Sequence, residues 1–394
     1  MNFDLSWILL GLPLAFALGW LASRMDVRQM RLENRQAPKA YFKGLNFLLN
    51  EQQDQAIDAF IEAMQNDPDT AELHFALGNL FRRRGEYHRA VRIHEHLLQR
   101  ADLSLADRQR AQHGLAQDYL KAGLLDRAED ALRRLEDTPY AASAHLALLG
   151  IYERARDWSQ AAAIVQTMQA QGQGDFSARL SHYLCEQAQA HVQQGQLAQA
   201  QEMLEQALVS APQAPRPRLD AARVYYRLEK VDAAWSQLEQ LAQHAPQALP
   251  LALPLLLEIA QASGREGQAV ALLRQRYAQA PALDVLLALV QLQADPDGTG
   301  AARCTPESAA AGGQVWMLRH LEHEPSLIVA QQWLSQQPTG LQMPMPVAQA
   351  LEHAARPLMR YRCAACGFEA RQHFWHCPGC QSWDSYPARR IEEL

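Results

Sequence analysis

Four of the six cysteines, Cys363, Cys366, Cys377 and Cys380, fall close together near the C-terminus. Cys363 and Cys366 form one C-x-x-C pair, and Cys377 and Cys380 form a second. A C-x-x-C pair can close a tight knuckle whose backbone amides hydrogen-bond the sulfurs. Two facing knuckles then present four thiolates as a tetrahedron, a donor set that suits zinc or iron. Gly367 and Gly379 suit the tight turns such knuckles need. Four sulfurs complete the shell without His373 or His376 and leave no open coordination position. Direct Lewis-acid catalysis is therefore not expected, and electron transfer through iron is the other use of such a site, although no flavin or nicotinamide motif accompanies it. A redox pair or two disulfides are the alternatives, and a reducing compartment disfavours stable disulfides. A segment this short has too little core to fold without its ion. Phe368, Phe374, Trp375 and Trp383 are expected to pack it against the rest of the chain.

The elements that must hold this segment are repeats. The 34-residue stretches 37–70 and 215–248 align without a gap. Phe47 matches Tyr225, Ala56 matches Ala234, Phe60 matches Leu238 and Pro68 matches Pro246. Further units run over 71–104, 109–142, from about 142, over 181–214 and from about 250. They carry Gly78, Phe81 and Ala90, then Ala116, Tyr119 and Ala128, then Tyr152 and Ala161, then Ala188, Ala200 and Leu204, then Ala269 and Leu273. Small residues at fixed positions, an aromatic in the first half and a closing proline resemble the tetratricopeptide repeat. Each unit is then two amphipathic helices that cannot bury their apolar face alone. The fold class expected is all-α: a superhelical solenoid over 37–283, degenerate helices and a cap over 284–358, and a four-cysteine metal domain over 359–390. Stretches 295–313 and 338–346 read as loops, rich in Gly, Pro and Ser.

In the tetratricopeptide family, function lies on the concave face, lined by the first helix of each unit. The resemblance places there Asn79, Arg82 and Arg83, then Arg110 and Lys121, then Arg216, Arg223, Tyr226 and Arg227. A basic groove on an acidic protein would attract acidic peptides or tails. Cys185 falls on a helix and Cys304 in a loop, and neither receives a role.

The N-terminal segment Leu5–Ala22 carries no charge and has Trp7 and Trp20 near its ends. At about 1.5 Å per residue it is just long enough to cross a bilayer core. Arg24, Arg28, Arg31, Arg35, Lys39 and Lys43 follow it, whereas no base precedes it. That asymmetry reads as an uncleaved single-pass anchor over 1–23 with a basic juxtamembrane segment over 24–36. Its N-terminus would be periplasmic and the bulk of the chain cytoplasmic. A buried soluble helix is the alternative. The whole chain has 394 residues, 48% apolar and 20% charged, with a net charge of -6. It can bury a large core, and its acidity argues against a general nucleic-acid binder. No nucleophilic triad, phosphate loop or paired-carboxylate motif stands out, so no catalytic residue is assigned and the chain is expected not to be an enzyme.

Anchor, repeats and knuckle in this order, ending CGF…WHCPGC…W, resemble the lipopolysaccharide assembly protein B family over about residues 1–390. The knuckles themselves resemble those of rubredoxin. The resemblance implies a regulator in the inner membrane that promotes degradation of the deacetylase LpxC by the membrane protease FtsH. It also favours iron, with zinc as the alternative, in the four-cysteine site. A scaffold that gathers lipopolysaccharide assembly enzymes without directing proteolysis is the competing reading.

Overall fold

The computed structural model describes residues 16, 20, 42–47, 49–50, 52–66, 70–292, 306–336 and 344–394. The expected anchor and juxtamembrane segment, like Cys304, fall outside them apart from residues 16 and 20. Among the described residues no helix is long and apolar enough to cross a membrane. The chain forms two compact bodies, Met1–Asp157 and Trp158–Leu394.

The first body holds α1 (Gln53–Asn66), α2 (Ala71–Arg83), α3 (Tyr87–Gln99), α4 (Leu105–Ala122), α5 (Leu125–Arg133) and α6 (Ala141–Ala155). The second begins with α7 (Trp158–Ala170), α8 (Ser177–Gln193), α9 (Leu197–Ser210), α10 (Pro215–Arg227), α11 (Val231–His244), α12 (Leu249–Ser263) and α13 (Glu266–Gln279). It continues with α14 (Leu283–Gln291), α15 (Pro306–His323), α16 (Leu327–Ser335) and α17 (Met345–Ala355). The described residues are mostly helical, with a small cysteine-rich ribbon at the C-terminus. The turns follow local chemistry. Gly123 ends α4 in the left-handed conformation at φ 75, which costs glycine little. Ser104 caps the same helix by accepting a hydrogen bond from Asp107 N. Pro215 opens α10 at a position where its missing N–H costs nothing.

The repeat register shows most clearly at its small residue. Ala56, Ala90, Ala128, Ala161, Ala200, Ala234 and Ala269 are each 0% exposed. A methyl there lets neighbouring helices approach closely, and a larger side chain would force them apart. Four residues on, Phe60, Leu132, Val165, Leu204, Leu238 and Leu273 are buried apolar residues. Two expected loops are shorter than the sequence suggested. Residues 306–313 belong to α15, which Pro306 opens, and α17 begins at Met345 inside the second expected break. Proline is compatible with a first helical turn, so its presence did not mark a loop. The third unit also starts early, at Leu105, ahead of the 34-residue frame. Trp316, Met317, Ile328, Val329 and Ala355 join the buried cluster of Leu256 and Leu286. The degenerate helices therefore extend the solenoid core.

At the second unit that apolar position holds His94, 1% exposed. Its Nδ1 lies 2.6 Å from Asp118, which is fully buried. Arg82 binds the other oxygen of Asp118 at 2.8 Å and donates to Gly114 O at 3.1 Å and to Asn79. The ring fits because two neighbours have no side chain. A Cβ on Gly78 would lie 2.7 Å from His94 Cε1, and one on Gly114 would lie 2.7 Å from Nε2. The ring is packed and held by Asp118, so it cannot swing aside. Gly114→Ala is expected to destabilise the first body by about 1–3 kcal/mol in urea unfolding. Gly150→Ala, in α6 with nothing within 4 Å of the added carbon, is expected to be neutral or to stabilise by up to about 1 kcal/mol. Equal effects of the two would refute this account.

Candidate metal centre

Two short hairpins present the cysteines. Strand β1 (Tyr361–Arg362) pairs antiparallel with β2 (Glu369–Ala370), Tyr361 opposite Ala370 and Arg362 opposite Glu369. Cys363 follows β1, donates to Phe368 O at 2.9 Å and accepts from Gly367 N at 2.9 Å. The second knuckle repeats this. Its rim is a bridge between His376 and Trp383; Cys377 donates to Ser382 O at 3.0 Å and accepts from Gln381 N at 2.9 Å. The left-handed residue is Gly367 in the first knuckle, at φ 77, and Gln381 in the second, at φ 59. Gly379, which the sequence suggested for that role, does not take it. A Cβ there would meet Cys366 Sγ at 3.4 Å, an ordinary contact. In both knuckles the turn residue is one position after the second cysteine, and in the second knuckle the sequence offers glutamine there.

The four sulfurs lie within 4.8 Å of one another. Cys363 Sγ is 3.8 Å from Cys380 Sγ, and Cys366 Sγ is 3.8 Å from Cys377 Sγ. A tetrahedral ion with metal–sulfur bonds of about 2.3 Å sets its sulfurs about 3.8 Å apart. A disulfide needs about 2.05 Å, and these cysteines are free. The donor set fits a four-thiolate ion. Burial works against charge on Cys363, yet Ser385 and the amides of Cys366 and Ala365 hold its thiol down to about 6. At Cys366 the Phe368 amide favours the thiolate, but burial and the three other sulfurs push it up to about 12. Four sulfurs this close cannot all carry charge without a cation among them. A bound ion would supply that charge and tie the two hairpins together.

The knuckle does not stand alone within the second body. Its own core of Tyr361, Cys363, Cys377 and Tyr386 packs Phe374 and receives Leu251 from α12. Trp375 packs against the large solenoid cluster. Trp383 stacks on His182 at 4.6 Å and on His376 at 4.3 Å, and meets Trp158 and Tyr183 edge-on. Of the four aromatics expected at this interface, Trp375 and Trp383 serve it. Phe374 fills the knuckle core instead, and Phe368 is 44% exposed. Polar contacts complete the joint. His182 Nε2 lies 2.8 Å from Asp384, and Arg390 pairs with Asp284 at 2.9 Å and covers the Tyr361 ring at 4.2 Å. The last residues bind helix starts, where free N–H groups favour a carboxylate. Glu393 accepts from Leu283 N at 2.8 Å, at the start of α14. Glu392 accepts from Ser326 Oγ at 2.7 Å, from Ile328 N at 3.2 Å and from Leu327 N, at the start of α16. Sequence reasoning missed His182, Asp284, Asp384, Glu392 and Glu393. None of them belongs to a periodic pattern, and the last two sit in what read as a tail.

The expected groove residues have different surroundings. In the first body, Arg82 is tied to Asp118 and Asn79, and Arg110 pairs with Glu72 at 2.6 Å over the Phe75 ring, while Arg83 and Lys121 are exposed. In the second, Arg216 is only 3% exposed. It pairs with Glu186 at 2.7 Å and Asp220 at 3.4 Å and lies over Trp383. It therefore belongs to the joint between solenoid and knuckle rather than to an open face. Tyr226 packs against the core. Arg223 and Arg227 line a cavity of about 390 Å³ with Val192, Val224 and Cys185. Burial pushes the Cys185 thiol well up, so it is an inert small residue of the wall.

Residues 361–386 match the family described as rubredoxin metal binding domain, and 43–102, 113–176 and 191–259 match the tetratricopeptide repeat. Lipopolysaccharide assembly protein B of Escherichia coli K12 is 30% identical over 399 residues, covering 99% of this chain and all of that one. The chain belongs to the lipopolysaccharide assembly protein B family. The Haemophilus influenzae member is 27% identical, with 95% and 96% of the two chains covered. A solved tetratricopeptide repeat protein from Parabacteroides merdae aligns at 16% identity with a TM-score of 0.33, over 66% of this chain and 98% of its own. In this member of the assembly protein B family, Cys377→Ser is expected to lose the bound ion and release Trp383 to solvent. Metal analysis and a red shift of tryptophan emission check this. Trp383→Ala should keep one ion per chain yet make the knuckle open to proteolysis. Full protease resistance of that variant would show that the stacked joint does not hold the domain.

Proposed function

We propose that the protein is a membrane-anchored adaptor on the cytoplasmic side of the inner membrane. In this reading it restrains lipopolysaccharide synthesis by presenting the deacetylase LpxC to the membrane protease FtsH. The observation that carries the reading is the end-to-end similarity to lipopolysaccharide assembly protein B, which covers 99% of this chain. The parts suit the task physically. The Leu5–Ala22 segment would confine the adaptor to the plane of the protease and raise its effective concentration there. Helical repeats offer binding surface in each body; the exposed members of the expected groove are Arg83 and Lys121 in the first and Arg223 and Arg227 in the second. The knuckle, with iron or zinc, holds part of that surface in place and performs no chemistry of its own.

The test is the half-life of LpxC after translation is blocked, in cells with and without this protein. The half-life is expected to lengthen several-fold on deletion, and to lengthen equally when the chain lacks residues 1–23. Reversing the charge of Arg83, Lys121, Arg223 and Arg227 together is expected to weaken capture of LpxC while leaving metal content unchanged. An unchanged half-life, with co-purification of several assembly enzymes, would replace the adaptor with a scaffold.

A further inference from the structure

An open cavity of about 530 Å³ lies beside the knuckle, lined by Arg356, Met359, Arg360, Arg371 and Arg390. No carboxylate lines it. Its arginines come from separate stretches of the second body. Arg356 closes α17, Arg360 directly precedes β1, Arg371 directly follows β2, and Arg390 arrives from the C-terminal tail.

The nearby acids are already shared. Glu352 lies 3.1 Å from Arg356, Glu369 lies 2.9 Å from Arg362 and 3.6 Å from Arg360, and Asp284 lies 2.9 Å from Arg390. Four arginines thus line the cavity, and three of them, Arg356, Arg360 and Arg390, already share acids that lie outside it. Arg371 has no ion pair or hydrogen bond among the described residues, and it is exposed. The wall is pre-built. Arg390 donates to Met359 O at 2.8 Å, and Ile391 N donates to Arg360 O at 2.8 Å. Arginines on an Arg-rich surface are ordinarily scattered and paired with acids across the same face. Here they converge on one concavity that no acid enters.

We propose that this cavity binds a phosphate monoester, carried on a lipid headgroup or on a soluble molecule. Guanidinium forks match phosphate oxygens in bidentate geometry. A monoester dianion has three terminal oxygens, enough to meet several arginines at once. A carboxylate has two oxygens and half the charge. The bound phosphate would bridge the end of α17, both knuckle strands and the tail, so occupancy would stabilise the docked knuckle by mass action. The site stands apart from the adaptor reading and can fail or hold without it.

The test uses the full chain in phosphatidylcholine nanodiscs, titrated calorimetrically with glycerol 3-phosphate at constant ionic strength. Saturable binding is expected, weakened at least about tenfold by Arg371→Gln combined with Arg360→Gln. Arg154→Gln, an exposed arginine of the first body, should leave it unchanged. Metal content verifies that the variants keep their knuckle. Discs containing phosphatidic acid separate the two sources. A lowered apparent affinity for the soluble ester assigns the site to headgroups, and an unchanged one assigns it to a soluble ester. Absence of saturable binding, equal binding of succinate, or full binding by the double variant would overturn the proposal.

Discussion

Close approach of paired helices at one small residue is the constraint on which the solenoid rests. At seven successive positions an alanine is completely buried, and the residue four places on fills the space beside it. Helix pairs that meet this closely leave no room for a longer side chain, so each later layer inherits its spacing from the one before. The degenerate helices beyond Gln279 abandon the repeat motif but continue the same apolar cluster. The demand is for continuous burial, and the motif is one way to satisfy it.

His94 shows how such an array tolerates a departure. The ring takes an apolar residue's place, and the cost of burying it is met by Asp118, by Arg82 and by the absent side chains of Gly78 and Gly114. Removing any one partner would leave a polar or charged group buried without a mate, which costs more than the contact itself contributes. Gly78 was visible in the sequence as a tight position of its repeat. What it makes room for was not.

The knuckle meets a different problem. It is too small to hold itself by burial; the solenoid helices fasten one side, and an ion held by the four cysteines would order the other. Four clustered sulfurs need a cation, and Trp383, Trp375 and the Asp384, Arg390 and Glu392–Glu393 contacts fasten the outside. These contacts join residues separated by up to about two hundred positions, as between His182 and Asp384. The C-terminal carboxylates bind helix starts that were otherwise short of acceptors. Metal site and docking surface thus share one small domain, so a change in the ion would reach the solenoid through Trp383.

What the sequence determined by itself was everything governed by local periodicity or by fixed spacing. The helix pairs, the buried alanines and the four-cysteine donor set each follow from residues close in the chain. In such cases geometry is set by 3.6 residues per turn or by the reach of a C-x-x-C turn. Tertiary structure alone decided which charges were free. Arg216 read as a groove cation and is buried beneath Trp383, Arg82 is spent on Asp118, and Gln381 rather than Gly379 turns the second knuckle. Pairing of charges and choice of backbone conformation depend on what lies across the fold. A one-dimensional pattern carries composition and spacing, and neither records which distant group arrives as neighbour.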